Sequence, residues 1–320
     1  MLTDFDKVLG IGSREEFDHL ALELFRWQAE RCAPYRDYLA LLGCEPTEVE
    51  RVEEIPHLPI EIFRTHRVWC GEGEPEKVFS SSTTSGGEPS LHPMASLDEY
   101  RRTFTAAWER FLPTPHRIYA LLPCYLEREG SSLVYMVDEL IRLYGGGFYL
   151  HDHDRLLADM AEYEGPKVLF GVSYALLDLA EHKPQLSNTI VVETGGMKGR
   201  RKEMPKAEMH RVLCEAFGVE RIASEYGMAE LTSQAYSSGD GLFFAPPWMR
   251  VTVRDLNNPF ATLGVGRTGG VNIIDLANRH SCAFIESADL GRLSADGGFE
   301  LCGRVGGSPI RGCNLLVDNE

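Results

Sequence analysis

Residues 80–90 read Ser-Ser-Ser-Thr-Thr-Ser-Gly-Gly-Glu-Pro-Ser, directly after the apolar pair Val78–Phe79. Such a run buries no core, but it can wrap an anion: glycine lets the backbone approach closely and the hydroxyls add donors. No G-K-[ST] follows, so it is not a Walker A loop. A flexible polar linker is the competing reading. Gly171-Val-Ser173-Tyr-Ala175 stands one residue off the nucleophile elbow, between an expected strand and an expected helix. It opens a different class, a hydrolase or acyltransferase using Ser173 with Asp255 and His280. The plainer reading of Ser173 is a helix N-cap. Gly264-Val-Gly266-Arg-Thr-Gly269 matches G-x-G-x-x-G. A strand pattern follows it where a dinucleotide site needs a helix, so it reads as a turn. His151-Asp-His-Asp154 spaces its histidines too closely for paired metal ligands on one face and reads as a solvated turn.

These residues need elements to position them. In the N-terminal part, Ser13 and Glu16 make a capping-box pattern, and Phe17, Leu20, Ala21, Leu24 and Trp27 recur at helical spacing. A second helix is expected from Pro34 to Leu42, stopping at Gly43. Pro56 and Pro59 break residues 55–68, which read as extended chain over a core. From Val78 strands alternate with helices. Expected strands are 118–122, 167–170, 189–193, 221–224, 251–253 and 271–275; expected helices are 96–111, 132–144, 174–181 and 206–217. That alternation predicts an α/β fold with a largely parallel sheet. Gly145–Gly147 reads as a helix stop and turn. The tail after Phe243 is Gly-rich, with short strands and turns, and suggests a smaller β subdomain. The expected division is a helical segment 1–77, an α/β core 78–242 and a β-rich part 243–320, all packed as one unit.

The bulk properties narrow the partners. The chain has 320 residues, 43% hydrophobic and 25% charged, which is an ordinary globular composition. Its net charge of −16 argues against nucleic acid and anionic membrane surfaces as partners. It leaves room for phosphates held by a local nest of backbone N–H groups. No apolar run is long enough to span a membrane, and no signal-like segment opens the chain. Eight scattered cysteines without a C-x-x-C pair fit a cytoplasmic protein with reduced thiols.

Several motifs carry a resemblance. The 80–90 loop looks like the phosphate loop of the acyl-adenylate-forming superfamily. Tyr226-Gly-Met-Ala-Glu230 resembles its aromatic-Gly-x-Thr-Glu motif, with Ala229 where Thr is usual. Ala288-Asp289-Leu290-Gly291 resembles its Thr-Gly-Asp-Leu-Gly motif, and Gly303-Arg304 with Ile310-Arg311-Gly312 resembles its hinge. Within the superfamily, the chain is similar to the LuxE-like acyl-protein synthetases. Ile55-Pro-His-Leu-Pro-Ile with Phe63-Arg-Thr-His66, Leu122-Pro-Cys-Tyr-Leu-Glu-Arg-Glu-Gly-Ser-Ser-Leu133 and Arg311-Gly-Cys-Asn-Leu315 carry that likeness.

The resemblance implies an α/β fold like the N-terminal domain of adenylate-forming enzymes, with a helical N-terminal segment, a small C-terminal β subdomain and no large Lys-bearing C-terminal domain. It implies a ligase that activates a carboxylic acid, a fatty acid in that branch, as acyl-AMP with ATP and Mg²⁺. Ser82, Thr83, Thr84, Ser85 and Gly86 would bind phosphates, and Glu230 would hold Mg²⁺. Gly195 and Gly196 would approach the adenine or the acyl group. Tyr226, flanked by Glu225 and Gly227, would stack on adenine, and Asp289 and Arg304 would bond the ribose. Glu230 and Tyr226 taken alone also read as an ordinary helix residue and plain core. In place of the absent lysine, Lys198 with Arg200 and Arg201 would meet the developing charge. Cys313 would accept the acyl group as a thioester: Arg311 favours the thiolate and Gly312 opens access, against the alternative of an inert cysteine. An acyl reductase subunit is the implied partner. The alternative acceptor is coenzyme A, as in phenylacetate-CoA-ligase-like relatives, and a third class is a non-catalytic acyl- or ATP-binding subunit.

Overall fold

The computed structural model describes residues 2–81, 88–123, 130–150, 152–195 and 204–306. The chain opens with helices α1 (Phe5–Leu9), α2 (Arg14–Arg31) and α3 (Ala33–Leu41). Ser13 caps α2 by accepting the Glu16 N–H at 3.1 Å, and the buried Phe17, Leu20, Ala21 and Leu24 face the core as the spacing predicts. The stretch expected to be wholly extended is more varied. It holds a two-residue strand β1 (Leu58–Pro59) and one helical turn, α4 (Ile62–Thr65).

The hairpin β2 (Lys77–Ser80) and β3 (Leu91–Met94) follows, then the α/β part. Its elements are α5 (Leu97–Phe111), β4 (Arg117–Leu121), α6 (Ser132–Tyr144), β5 (Gly146–Phe148), α7 (His153–Glu162), β6 (Lys167–Val172), α8 (Ser173–Ala180), β7 (Thr189–Thr194), α9 (Lys206–Phe217), β8 (Ile222–Tyr226) and β9 (Ala235–Ser237). The sheet order is β5-β4-β6-β7-β8-β9. All pairs are parallel except β8 with β9. The expected α/β class is therefore present. Its helices follow from local signals: Ser96 accepts the Glu99 N–H to cap α5, whose buried Tyr100, Thr103, Phe104, Ala107 and Trp108 form one helical face.

Gly145 does stop α6, but Gly146–Phe148 is a strand, not a turn. A Cβ at Gly146 would run into the Ile118 carbonyl, so only glycine lets this edge strand lie so close to β4. The expected turn at 151–154 is also corrected. Asp152 accepts the Arg155 N–H at 3.0 Å and caps α7 (His151 lies outside the described residues).

A second sheet follows, made of β10 (Leu242–Phe243), β11 (Met249–Arg254), β12 (Thr268–Asp275), β13 (Phe284–Leu293) and β14 (Phe299–Arg304), in the order β10-β14-β13-β12-β11. Two of its strands are long, where short ones were expected. The G-x-G-x-x-G run lies in the β11–β12 connection, with Gly266 at φ +78°, and is a turn as read. Strand β14 covers Asp289–Leu293 of β13, and β1 pairs in parallel with Ile285–Glu286, along the edge that β14 leaves open. Among the described residues, no helix is long and apolar enough to cross a membrane.

Candidate active site

Strands β7 and β8 end side by side, at Thr194–Gly195 and Tyr226–Gly227. Side chains alternate across a strand, so Glu193, Ser224 and Tyr226 share one face of the sheet and Thr194 and Glu225 the other. On the first face Tyr226 is buried, its ring edge-on to Phe243 and Phe299 at 6.0 and 5.5 Å. Its hydroxyl donates to Asp289 Oδ2 at 2.8 Å. Asp289 sits opposite Arg304 in the β13–β14 register, and Arg304 Nη1 lies 3.7 Å from Asp289 Oδ1. Three sequence-distant candidates, Tyr226, Asp289 and Arg304, thus form one cluster.

The β2–β3 hairpin, whose strands flank residues 82–87 in the sequence, is tied to the loop after β8. Its base closes where Ser81 N–H donates to Ser90 O and Ser90 N–H to Ser81 Oγ. From β3, His92 reaches Ala229 O with Nδ1 at 2.7 Å and Asn278 Oδ1 with Nε2 at 3.0 Å. Asn278 Nδ2 in turn donates to Glu230 O at 3.0 Å and Cys282 O at 2.9 Å. One buried histidine therefore ties the hairpin to the loop bearing Glu230, whose side chain is fully buried. Burial pulls the His92 imidazole below its usual pKa, against its hydrogen bonds to Asn278 and Ala229.

Behind β7 lies a buried ionic group. Lys206 Nζ, at the start of α9, stands 2.7 Å from Glu193 Oε1, and His210 Nε2 stands 3.6 Å from the same oxygen. Burial works to raise the Glu193 carboxyl, but Lys206 and His210 outweigh it and hold it at about 2. Ser173 Oγ donates to Glu193 Oε2 at 3.1 Å and to Gly195 O at 3.2 Å. It is the first residue of α8 and not its N-cap, which is Val172. A nucleophilic serine needs a base on its hydroxyl. Here that hydrogen bond goes to a carboxylate too acidic to serve, with His210 on its far side. Neither Asp255 nor His280 bonds to Ser173; His280 packs against Trp27 and Trp69. On the opposite sheet face burial pushes Glu225 up to about 7, although the Thr194 hydroxyl donates to it.

Ser82, Thr83, Thr84, Ser85, Gly86, Gly196, Lys198, Arg200, Arg201 and Cys313 lie outside the described residues. The six described cysteines are free, and no group of three or more metal-ligating side chains occurs among the described residues. Sequence reasoning missed His92, Asn278, Lys206 and His210. A lone histidine after a polar loop has no spacing signal; the Lys206–His210 pair, one helical turn apart beside a strand end, did carry one.

No family model and no curated protein sequence matches the chain. Solved structures do. An open conformation of 2-hydroxyisobutyryl-CoA ligase, in complex with 2-HIB-AMP and CoA, superposes with a TM-score of 0.72 at 15% identity, covering 92% of this chain and 76% of that one. The same ligase in the postadenylation state gives 0.71 at 15% identity, over 91% and 67%. The chain has the adenylate-forming ligase fold. ATP-bound MatB from Rhodopseudomonas palustris matches with a TM-score of 0.54 at 16% identity over 71% of this chain. The chain spans about half the length of MatB, 47% of it. At these identities the likeness is one of fold.

Proposed function

We propose that the chain activates a carboxylic acid with ATP, releasing pyrophosphate, and passes the acyl group from acyl-AMP to the thiol of coenzyme A, with AMP as the second product. One observation carries this reading: His92 and Asn278 join the 82–87 hairpin to the Glu230 loop, beside the Tyr226–Asp289–Arg304 cluster, at the carboxyl ends of β7 and β8. Open α/β sheets bind ligands at that end. Backbone N–H groups and hydroxyls of 82–86 would hold the phosphates. Asp289 and Arg304 would bond the ribose, with Tyr226, Gly195 and Gly196 beside the adenine. Glu230, a carboxylate on the loop after β8, would hold Mg²⁺ with further ligands from phosphates and water; the ion would supply neutralisation of the triphosphate charge. The protein's own work is positioning, so that the acid's carboxylate meets the α-phosphorus in line with the departing pyrophosphate. Lys198 and Arg200 would meet the charge that develops there.

A neighbour matching over most of the chain is a CoA ligase, which favours coenzyme A as acceptor. A second reading keeps Cys313 as acceptor, on the strength of Arg311-Gly-Cys313, with a reductase subunit downstream. Acid-dependent exchange of labelled pyrophosphate into ATP tests the activation step; no exchange with any acid, Mg²⁺ present, would sink it. Adding coenzyme A then separates the acceptors. An acyl-CoA product supports the first reading, while a mass increase on the chain that Cys313→Ser abolishes supports the second.

A further inference from the structure

The sheet face opposite the Tyr226–Asp289 cluster holds polar groups that the proposed nucleotide contacts do not use. Glu225 and Tyr236 are directly opposed across the β8–β9 ladder. Gly227, two residues on, has no side chain; a Cβ there would collide with Glu225 Oε1 and stand 3.4 Å from Gln234 Cγ. Glu225 and Gln234 therefore take up the space that a side chain at Gly227 would need, and Tyr236 faces Glu225 across the ladder. Each is 5% exposed. Tyr236 Oη and Gln234 Oε1 are buried without a hydrogen-bond partner. Among the described residues, the hydrogen bond to Glu225 comes from the Thr194 hydroxyl, to Oε2. The far wall is aromatic: Phe111 stacks on Tyr236 at 4.6 Å, and Trp108 meets it edge-on at 5.8 Å.

Buried polar atoms are normally paired, and each exception asks for a cause. These lie on one face at the ends of β8 and β9, on the side away from the Asp289–Arg304 pair. We infer that Glu225, Gln234 and Tyr236 form the acyl-side pocket of the adenylation site. They select a carboxylic acid bearing a hydrogen-bond-donating substituent, a hydroxyl or an ammonium group, over a plain alkyl chain of equal length. This rests on the proposed adenylation and replaces the fatty chain that the sequence resemblance implies. It also moves Glu225 from the nucleotide side to the acyl side. A plain alkyl chain would leave the carboxyl, the amide and the phenol unpaired in a water-poor site, whereas a donor group satisfies them. The Glu225 carboxyl, pushed up to about 7 by burial, can meet either kind of donor: it accepts from a hydroxyl in either state and gives up its proton beside an ammonium.

The test is pyrophosphate exchange with matched sets of acids, each an alkanoate with its amino and hydroxy counterparts, over a range of chain lengths and substituent positions. A donor-bearing acid should be favoured by at least about tenfold in kcat/KM over its plain counterpart. Tyr236→Phe and Gln234→Leu should each narrow that ratio. Glu225→Gln should narrow it for the amino acid more than for the hydroxy acid. Melting of the unliganded protein separates this from a structural role. Tyr236→Phe removes a hydroxyl with no partner, so it should leave the melting temperature unchanged or raise it. Plain alkanoates activated as well as their substituted counterparts, or a ratio unmoved by all three variants, overturn the pocket and leave adenylation standing. No exchange with any acid overturns adenylation, and the pocket falls with it.

Discussion

Glu193 and Glu225 are buried on neighbouring strands and titrate in opposite directions, because Lys206 and His210 contact Glu193 directly, whereas burial outweighs the weaker pull of Lys206 on Glu225. The folded Glu225 keeps its proton up to about 7, while an unfolded carboxyl loses it near 4.5. Between those values the folded state binds more protons, so stability falls as pH rises through that window and levels off above it. The full effect is on the order of 3 kcal/mol. Glu225→Gln should flatten that slope and leave the protein more stable than wild type at pH above 7, measured by urea denaturation across pH. Glu193, held at about 2, acts the other way. Its contribution is present above the unfolded value and is lost as pH falls toward 2, so Glu193→Gln should flatten the acid limb of the same profile. At this scale Tyr226, Asp289 and Arg304 were visible in the sequence because motif spacing marks them. Their mutual bonds were not, since Tyr226 and Asp289 meet only through β8, β13 and the packing of two sheets.

The β2–β3 hairpin is the element on which the proposed phosphate site depends. It has only two short strands, and such a hairpin is marginal without support. His92 supplies that support by bonding to the Ala229 carbonyl and to Asn278. Neither His92 nor Asn278 is proposed to touch ATP. His92→Leu should raise KM for ATP by about tenfold through a displaced loop, with a smaller change in kcat at saturating ATP. Exchange kinetics at varied ATP check this; an unchanged KM would show that the hairpin stays in place without the histidine. Helices were the legible elements, because α5 and α6 join an N-cap serine to a periodic apolar face. Strand β5 was not expected, and β13 and β14 were covered only by the general expectation of short strands after Phe243. Glycine hid β5, and β13 carries buried Ser287 and Asp289 and a register shift at Leu290/Gly291, which breaks the two-residue alternation.

At the level of the whole molecule, the N-terminal helices are built into the second sheet. Gln28 on α2 is fully buried, and its amide nitrogen donates to the Asn278 and Arg279 carbonyls at 2.9 and 3.0 Å. Its amide oxygen accepts the Ala283 N–H at 2.9 Å. Arg279 returns the connection, with its guanidinium on the Thr3 carbonyl and on Glu99 of α5. Strand β1 adds Leu58 and Pro59 to the open edge of β13. Phe25 and Tyr35 cover Phe284, at 5.8 and 6.1 Å between ring centres. The turn that holds Asn278, and through it Glu230, is thus fixed from the N-terminal side. Deleting residues 1–77 would uncover Cys282, Phe284 and Ile285 and leave three backbone groups at 278, 279 and 283 without their partners. The remaining chain should lose its cooperative unfolding transition, as seen by calorimetry. Gln28→Ala is the milder test: three hydrogen bonds lost from a buried site should cost about 3 kcal/mol in urea denaturation. A truncated chain that melts cooperatively at the full-length temperature would show instead that the α/β part and the second sheet fold without the helices that brace them.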